Sequence, residues 1–339
     1  MVADHQGGEH QGGVKLMKRL SFAALALVAT ALSSAQAQIY PSRQITMIVP
    51  FPAGGPTDSI GRVLAERMRA TLGQTIIIEN IGGAGGTLAT TRVARAVPDG
   101  YTICLGHWTT HVLNGAAFAL PYDVLNDFEP IAWVADGPQW IAARKSHPAK
   151  SLPELVAWLK QNPDKGTAGV VGAVGSGRIT GLYFQKATGT TFQFVPYRGG
   201  APLIADLIAE QIDLTFTQLS GSIEQYREGK IKAYAVMAKS RWWAAPDVPS
   251  VDETGLKGLH VSIWHAFWAP KGTPKDVIGK LNAAVVEALA DPLVRRRLAD
   301  LGQEIVPREQ QTPEALTAHQ KAEIDKWWPI IKQAGIKVE

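Results

Sequence analysis

Two glycine-rich segments have the residue types and spacing of a site for a small anion. Residues 51–58 read FPAGGPTD and end an apolar run that begins at Ile45, and residues 172–178 place Gly172, Gly175 and Gly177 before Arg178. Glycine lets the backbone come close to a ligand and turn several N–H groups toward one negative charge. The two segments therefore predict a nest for a carboxylate, although ordinary tight turns have the same composition.

The polar residues of these segments allow two interpretations each. Arg178 lies at a predicted helix start, where a cation opposes the helix dipole unless an anion compensates it, so it is the candidate charge partner of the ligand. A solvated surface arginine is the alternative. Thr57 and Asp58 suit either ligand binding or capping of the following helix. Because a carboxylate repels an anionic ligand, Asp58 is expected to act by holding the loop in shape.

Signatures of catalysis and of metal or nucleotide binding fail when they are tested against the chain. Ser176 lacks the glycine two positions before it that a nucleophile elbow needs, and no P-loop motif occurs. The Gly-Gly-Ala-Gly-Gly run at 82–86 resembles a dinucleotide loop only loosely. His107 and His111 are four residues apart, but no third ligand lies near them in the sequence. The sequence thus predicts a binding protein without catalysis, metal or cofactor.

The glycine-rich segments lie between strands and helices in a repeated pattern. Short apolar runs alternate with segments of helical spacing, which predicts an α/β fold of mostly parallel sheets flanked by helices. Ligands of such sheets bind outside the carboxyl ends of the strands, and a loop at 106–111 is expected there too. The loop contains Trp108, whose ring could stack on the ring of a ligand, and Thr109. Core packing is the alternative role for Trp108. The predicted strands are 45–51, 75–79, 101–105, 141–143, 167–171, 192–196, 212–216 and 233–237, and the predicted helices are 60–73, 87–97, 151–161, 178–187, 201–209, 274–290, 291–301 and 313–334.

The chain is long enough for two lobes. It has 339 residues, of which 46% are hydrophobic and 19% charged, and at this size a single core usually stops growing. The two strand and helix series predict one lobe from residues 38–138 plus 264–339 and another from 139–263, with a cleft between them. The net charge of +4 is not concentrated in a run, so nucleic acid is not an expected partner. The single cysteine, Cys104, is expected to be a buried structural thiol.

The first 37 residues have the pattern of an export signal. A Lys-Arg pair precedes an apolar run at 20–32, and small residues at 35 and 37 suit a signal peptidase. The apolar run has 13 residues, fewer than the ~20 that a membrane-spanning helix needs. We expect cleavage after Ala37 and an exported mature protein, with residues 1–16 as a prefix before the signal.

An ordered series of motifs runs through the chain, and any one of them alone would mean little. The motifs are VPFPAGGPTD at 49–58, PDGYT at 98–102, LPYD at 120–123, VPYRGGAP at 195–202, GKIKA at 229–233, PDVPSV at 246–251 and APKGTP at 269–274. In this series the chain resembles the Bug, or TctC-like, extracytoplasmic solute receptors of tripartite tricarboxylate transporters. The resemblance extends over essentially the whole chain that follows the signal.

The resemblance implies a two-lobed periplasmic binding protein of venus-flytrap architecture, which closes on a small carboxylate and delivers it to the permease subunits in the membrane. The ligand is expected between two loops, with ordered water linking it to the sheet. The candidate ligand-binding residues are Phe51, Ala53, Gly54, Gly55, Thr57, Asp58, Trp108, Thr109, Gly175, Ser176, Gly177, Arg178, Thr217 and Gln218.

Two positions depart from the family pattern. The family usually has a histidine where Arg178 stands and often an aspartate where Thr217 stands. Both changes make the predicted pocket more positive, so we expect an anionic ligand without an amino group, such as a dicarboxylate or an aromatic acid. Replacement of Arg178 by alanine is then expected to weaken binding at least tenfold. The protein is expected to be a monomer, and a ligand sensor for a signalling partner is the alternative function.

Overall fold

The computed structural model of the protein describes residues 40–172, 175–333 and 335. The predicted signal peptide and residues 173–174 of the second glycine-rich segment lie outside the described residues. Of two units in the chain, Met1–Ser42 and Arg43–Glu339, the second carries all the helices and strands described below. Within the described residues, no helix combines the length and apolar character needed to cross a membrane.

The first part of the chain builds three parallel strands. β1 is a continuous apolar run with the sequence ITMIV and is almost wholly buried, as expected for a strand covered on both faces. It lies between β2 and β3, and both pairs are parallel. The elements are β1 Ile45–Val49, α1 Pro56–Leu72, β2 Ile76–Asn80, α2 Thr87–Ala94, β3 Thr102–His107, a π-helical turn Thr109–Leu113 and α3 Asn114–Ala117.

The middle of the chain repeats this arrangement. β5 lies between β6 and β7, again in parallel pairs. α4 begins at a serine cap, where Oγ of Ser151 accepts a hydrogen bond from the Glu154 N–H. The elements are β4 Phe128–Arg144, α4 Leu152–Gln161, β5 Thr167–Val171, α5 Ser176–Thr188, β6 Gln193–Tyr197, α6 Gly200–Ile208, β7 Leu214–Gln218, α7 Ile223–Arg227 and β8 Ile231–Val236.

The last part of the chain returns to the first three strands. β9 lies between β3 and β4 and is antiparallel to both. α10 begins after a proline-containing turn and packs against β4 and the π-helical turn. The elements are β9 Ser262–Pro270, α8 Lys275–Ala290, α9 Pro292–Asp300, β10 Glu304–Ile305 and α10 Pro313–Gln333.

The strands of the described residues form one mixed sheet in the order β2-β1-β3-β9-β4-β7-β5-β6, with β8 and β10 each paired to β4. The two predicted parallel groups are confirmed. The prediction of mostly parallel sheets is wrong for the centre, where β4 and β9 are antiparallel to their neighbours. β4 has register shifts near Pro130 and Trp133, so its sequence lacks the simple alternation that would have revealed the strand.

β4 exchanges its partners in the middle of the sheet. Pro138 is opposite Ser262 of β9, and the next residue, Gln139, is opposite Gln218 of β7. The division into a first lobe, residues 38–138 plus 264–339, and a second lobe, residues 139–263, stays a prediction, and the exchange of partners lies at its boundary. Trp140 of the second lobe anchors a separate apolar cluster of that lobe. Cys104 is fully buried, and burial raises the pKa of its thiol, so the thiol stays protonated.

Candidate functional site

Asp58 holds the first glycine-rich segment in shape. One of its carboxylate oxygens accepts hydrogen bonds from the Gly54 N–H and from Nε of Arg62, each at 2.9 Å. Gly54 has φ of +81°, a conformation that favours glycine. Burial raises the pKa of the Asp58 carboxyl, but hydrogen bonds from Arg62, Gly54 and Asn80 lower the pKa by more, so it lies below its ordinary value. This geometry agrees with the expectation that Asp58 shapes the loop.

α1 begins directly after this segment without a side-chain cap. Gly55 is the N-cap residue in an extended conformation, and Pro56 is the first helical residue. The N–H groups of a first helical turn have no partner within the helix, and the helix dipole places a partial positive charge there. An uncapped helix start of this kind can receive an anion.

The second glycine-rich segment forms a matching helix start in the second lobe. Gly175 is the extended N-cap residue of α5, and no side chain caps that helix. A Cβ on Gly175 would lie 2.1 Å from the carbonyl oxygen of Val171, and one on Gly177 would lie 2.5 Å from the carbonyl oxygen of Phe216. Both positions therefore require glycine. The close approach places the first turn of α5 across the ends of β5 and β7.

The two helix starts meet at the end of β7. A Cβ on Gly221, just beyond β7, would lie 3.5 Å from both Cγ of Pro56 and Oγ1 of Thr217. Gly177 contacts the same strand end through the carbonyl group of Phe216. The starts of α1 and α5 thus flank Thr217 from the two lobes. We call the space between them the cleft.

Two buried histidines lie beneath the first segment. His107, the last residue of β3, is opposite His265 of β9, and the two rings lie edge to face with centroids 5.4 Å apart. The Phe51 ring stacks on His107 at 4.3 Å. Oγ1 of Thr57 lies 3.2 Å from Nε2 of His265. These contacts join the loop and the start of α1 to two central strands.

Burial keeps both histidines neutral. Desolvation lowers the pKa of His265 to about 3, and desolvation, with smaller effects of His265 and His111, lowers the pKa of His107 well below its ordinary value. The Thr109 N–H donates to Nδ1 of His107 at 3.0 Å, so the proton of the neutral ring is assigned to Nε2. Nδ1 of His265 is buried without a hydrogen-bond partner among the described residues. The base of the cleft therefore offers neutral polar groups.

The rings of His107 and His111 lie in separate stacks. The His111 ring stacks on Trp268 with centroids 3.6 Å apart, whereas His107 stacks on Phe51. In the part of the chain that the structure describes, no three His, Cys, Asp or Glu side chains are grouped to hold a metal ion. The two helix starts carry backbone amides and hydroxyl groups, and the two neutral imidazoles are buried beneath them.

Comparison with known proteins places the chain in a family. A family model described as the tripartite tricarboxylate transporter family receptor, TctC, matches residues 60–336. The chain belongs to the TctC family. It is also 41% identical over 316 residues to an Agrobacterium vitis protein described as the UPF0065 protein in the TAR-I ttuE-ttuC' intergenic region, a match that covers 93% of this chain and 91% of that protein.

Solved structures resemble this TctC-family chain over most of its length. The periplasmic binding protein BugD is 43% identical, with a TM-score of 0.84 and coverage of 88% of this chain and 100% of BugD. MatC from Rhodopseudomonas palustris with bound malate is 39% identical, with a TM-score of 0.83 and coverage of 86% and 100%. Another R. palustris protein, with adipate, is 32% identical, with a TM-score of 0.84 and coverage of 88% and 100%. The TctC-family chain thus has the two-lobed α/β architecture of periplasmic binding proteins.

The Arg178 side chain contacts an aromatic ring of β6. Its guanidinium lies over the Phe194 ring, 4.9 Å from the ring centroid. Phe194 is the second residue of β6, which ends at Tyr197, so Phe194 lies about 10 Å before the strand end that borders the cleft. An ion pair between Arg178 and the ligand stays a prediction that this arrangement does not favour.

Three further predicted residues lie outside the cleft. Trp108 is fully buried and packs edge to face on Trp327 with centroids 4.7 Å apart, so no face of its ring is open to a ligand and core packing explains it. Thr109 is buried too and supplies its N–H to His107. Nε2 of Gln218 donates to the carbonyl oxygen of Ile263 at 3.1 Å and to Oε1 of Gln303 at 3.4 Å. Gln218 therefore links β7 to β9, and its contact with Gln303 reaches the proposed first lobe.

The structure brings the other predicted residues of this TctC-family chain to the two sides of the cleft. His107 and His265 join them, although the sequence had suggested His107 only as half of a weak metal pair. The position of His265 beside His107 follows only from the antiparallel pairing of β3 with β9. The predicted residues that border the cleft are Phe51, Ala53, Gly54, Gly55, Thr57, Asp58, Gly175, Ser176, Gly177 and Thr217.

Proposed function

We propose that this protein is a periplasmic receptor that binds a linear dicarboxylate without an amino group and delivers it to the membrane subunits of a tripartite transporter. The observation that carries the proposal is the pair of uncapped helix starts, α1 and α5, on either side of the end of β7. Each helix start offers backbone N–H donors to one carboxylate. Malate and adipate, with which two similar structures were solved, each have two carboxylates.

The charges around the cleft support a ligand without an ammonium group. The buried carboxylate of Asp58 already binds the Gly54 N–H and Arg62. Thr217 contributes a hydroxyl group, and burial keeps His107 and His265 neutral. The charge of the Asp58 carboxylate is already paired with Arg62, although its Oδ1 has no hydrogen-bond partner among the described residues. An ammonium group at the cleft would therefore share an already paired carboxylate in exchange for its water.

The expected affinity follows from the number of donors. A hydrogen bond to a charged group contributes about 1.5–3 kcal/mol, so two or three bonds at each carboxylate, less the ordering cost, support a dissociation constant of about 1 μM or lower. A ligand that touches both lobes binds the closed arrangement better than an open one. Binding therefore shifts the protein toward closure.

Calorimetry with a matched set of ligands tests this proposal. Succinate, malate and adipate are expected to bind the purified protein at least 100-fold more tightly than aspartate, which differs from succinate by one amino group. Butyrate, with one carboxylate, is expected to bind weakly. Aspartate binding as tight as succinate would contradict the ligand assignment, and the lack of binding by all carboxylates would contradict the receptor function.

Two further measurements test delivery and the proposed lack of catalysis. Uptake of the bound dicarboxylate by cells that carry the membrane subunits is expected to require this protein. Nuclear magnetic resonance of the ligand after prolonged incubation is expected to show it unchanged. Receptor-independent uptake would overturn the transport role, and a new product would overturn the binding-only assignment.

A further inference from the structure

A groove separate from the cleft lies along β8 in the second lobe. Its volume is about 720 Å³, and its base is formed by four consecutive residues of the strand, from Ile231 to Tyr234. One wall comes from Tyr226 and Arg227, at the end of α7, and the other from the turn at 244–247. Lys145 and Lys150, which follow β4, complete the lining. We call this cavity the β8 groove.

The β8 groove lies at the opposite end of the second lobe from the cleft. β4 enters this lobe at Gln139, opposite Gln218 at the end of β7, and leaves it at Arg144, opposite Ile231 of β8. Five residues of strand span about 17 Å. Ala233 is opposite Ala142, three residues from Gln139, so the lining of the groove lies about 10–17 Å along the strand from the cleft. The lining includes none of the residues of the two helix starts.

The groove runs along the edge of the sheet. Successive side chains of a strand point to opposite faces, so a cavity that touches four consecutive residues follows the strand edge. Among the described strands, β8 pairs only with β4, and its single further bridge, to Ser250, lies at the last residue, Val236. Backbone N–H and C=O groups on such an edge can pair with an added extended chain.

The groove has an excess of positive charge. Its lining includes Lys145, Lys150, Arg227 and Lys232 but only one carboxylate, Asp247. The ion pairs near it within the described residues join Arg144 to Asp213 and Lys230 to Glu228, and include none of these four cations.

Backbone carbonyl groups hold two of these cations in place. Nζ of Lys232 donates to the carbonyl oxygen of His147 at 2.6 Å, and Nη2 of Arg227 donates to that of Ala244 at 3.2 Å. Carbonyl oxygens position a cation without cancelling its charge. The carboxylate of Asp247 accepts a hydrogen bond from the Tyr226 hydroxyl, so it is engaged as well.

We propose that the β8 groove binds an extended acidic segment of a partner protein, which adds to the edge of β8 with its carboxylates against the four cations. Main-chain hydrogen bonds supply affinity, and the charges select the partner. Lysines on an edge repel another basic strand. The same repulsion excludes a second copy of β8 and leaves an acidic strand as the matching occupant.

The test uses a fluorescent peptide of alternating glutamate and valine and a matched peptide with glutamine for glutamate. The acidic peptide is expected to bind the purified protein in a salt-sensitive manner. It is also expected to slow hydrogen exchange at least tenfold for those Ile231–Ala235 amides that point away from β4. The double variant Lys145→Glu, Lys150→Glu is expected to weaken binding at least tenfold, since both residues are exposed and their replacement leaves the carbonyl-bound Lys232 intact. The glutamine peptide is expected not to bind.

A control variant with the same change in net charge is Lys275→Glu, Lys321→Glu, at exposed positions of α8 and α10 in the first lobe. It is expected to bind the acidic peptide as the unmodified protein does. Equal weakening by both double variants, binding without protection of β8, or no binding would each overturn the proposal. Binding of pyrophosphate alone would make the groove a small-anion site, and binding of phosphatidylglycerol vesicles alone would make it a membrane contact; either result also overturns it.

Discussion

At the scale of single residues, the cleft depends on side chains that shape the backbone around the ligand. Asp58 holds Gly54 and Arg62, and Thr57 reaches His265. Gly175 and Gly177 lie too close to neighbouring carbonyl oxygens for any side chain. Affinity in such a site comes from preorganised backbone donors, because their positions are fixed before the ligand arrives.

Two replacements of Asp58 distinguish the effect of its hydrogen bond to Gly54 from the effect of its negative charge. Asp58→Ala leaves the Gly54 N–H without its acceptor and is expected to cost about 1–3 kcal/mol in the free energy of unfolding and at least tenfold in dicarboxylate affinity. Asp58→Asn keeps an acceptor for Gly54 and is expected to change affinity less than threefold. Chemical denaturation and calorimetry measure both effects.

The pH dependence of the Asp58 contribution has a definite sign. Because the folded pKa is lowered, the stabilisation is present above the ordinary pKa of 3.8 and is lost only as the pH falls through the folded pKa. The difference in stability between the protein and Asp58→Ala is therefore expected to stay constant from pH 5 to pH 8. Unchanged ligand affinity of Asp58→Ala would show that the loop does not need this carboxylate.

The role of Arg178 predicted from its sequence position differs from the role that its contacts in the structure favour. Its position after a glycine-rich turn predicts a tenfold loss of affinity on replacement, but its guanidinium lies over Phe194. On this geometry we expect Arg178→Ala to weaken dicarboxylate binding less than threefold, measured by calorimetry. The exposed Arg198 offers the matched replacement Arg198→Ala. A tenfold loss in Arg178→Ala alone would show that the guanidinium moves to the ligand on binding.

At the scale of elements, the helix starts and the parallel strands were predictable because their signals are local. The glycine-rich turns, the apolar runs and the helical spacing lie within a few residues of one another, and α1 and α5 begin within a few residues of the predicted positions. β4 and β9 were missed, apart from the last residues of β4. Prolines and register shifts interrupt the alternation in β4, and only pairing over a long stretch of sequence reveals it.

The histidine pair shows why part of the site could not be predicted. His107 and His265 are far apart in the sequence and meet only because β9 returns between β3 and β4. Trp108 is a predicted site residue that the structure places in the core. Trp327 of the last helix packs on its ring, so a ligand has no access to it. In both cases a contact between distant segments decides the role of a residue that has no local signal.

The buried histidine pair predicts a loss of stability in mild acid. His265 has a folded pKa of about 3, below its ordinary value of about 6.5, so the unfolded chain binds a proton that the folded protein rejects as the pH falls. Between pH 7 and pH 5 this costs about 2 kcal/mol for one such histidine. His265→Gln is expected to reduce the pH-dependent loss by about that amount, measured by urea denaturation.

Thr57→Val is the matched control for this measurement. It removes the hydroxyl group that contacts His265 but leaves the titrating ring in place, so it is expected to lower stability equally at pH 7 and pH 5. If His265→Gln keeps the full pH dependence of the unmodified protein, other buried groups must account for the acid sensitivity.

At the scale of the whole molecule, the central strands connect the two proposed lobes. β4 passes from one lobe to the other at Gln139, and Ser262 of β9 donates a hydrogen bond to Asp136 beside this crossing. A continuous strand restricts the lobes to bending about one short segment, because its pairing on both sides would otherwise be lost. Side chains that bridge the crossing therefore bias the balance between open and closed forms.

Gln218 is the side chain that tests this bias. Its amide nitrogen donates to Ile263 of β9 and to Gln303, which lies in the proposed first lobe, so Gln218→Ala removes one contact with β9 and one contact between the proposed lobes. Because the apparent dissociation constant rises as the closed fraction falls, we expect Gln218→Ala to bind the dicarboxylate three- to tenfold more weakly, with faster dissociation. Small-angle scattering without ligand is expected to give a larger radius of gyration. Gln211→Ala, at an exposed glutamine of the second lobe, is expected to change neither quantity, and unchanged affinity and radius in Gln218→Ala would remove this residue from the closure mechanism.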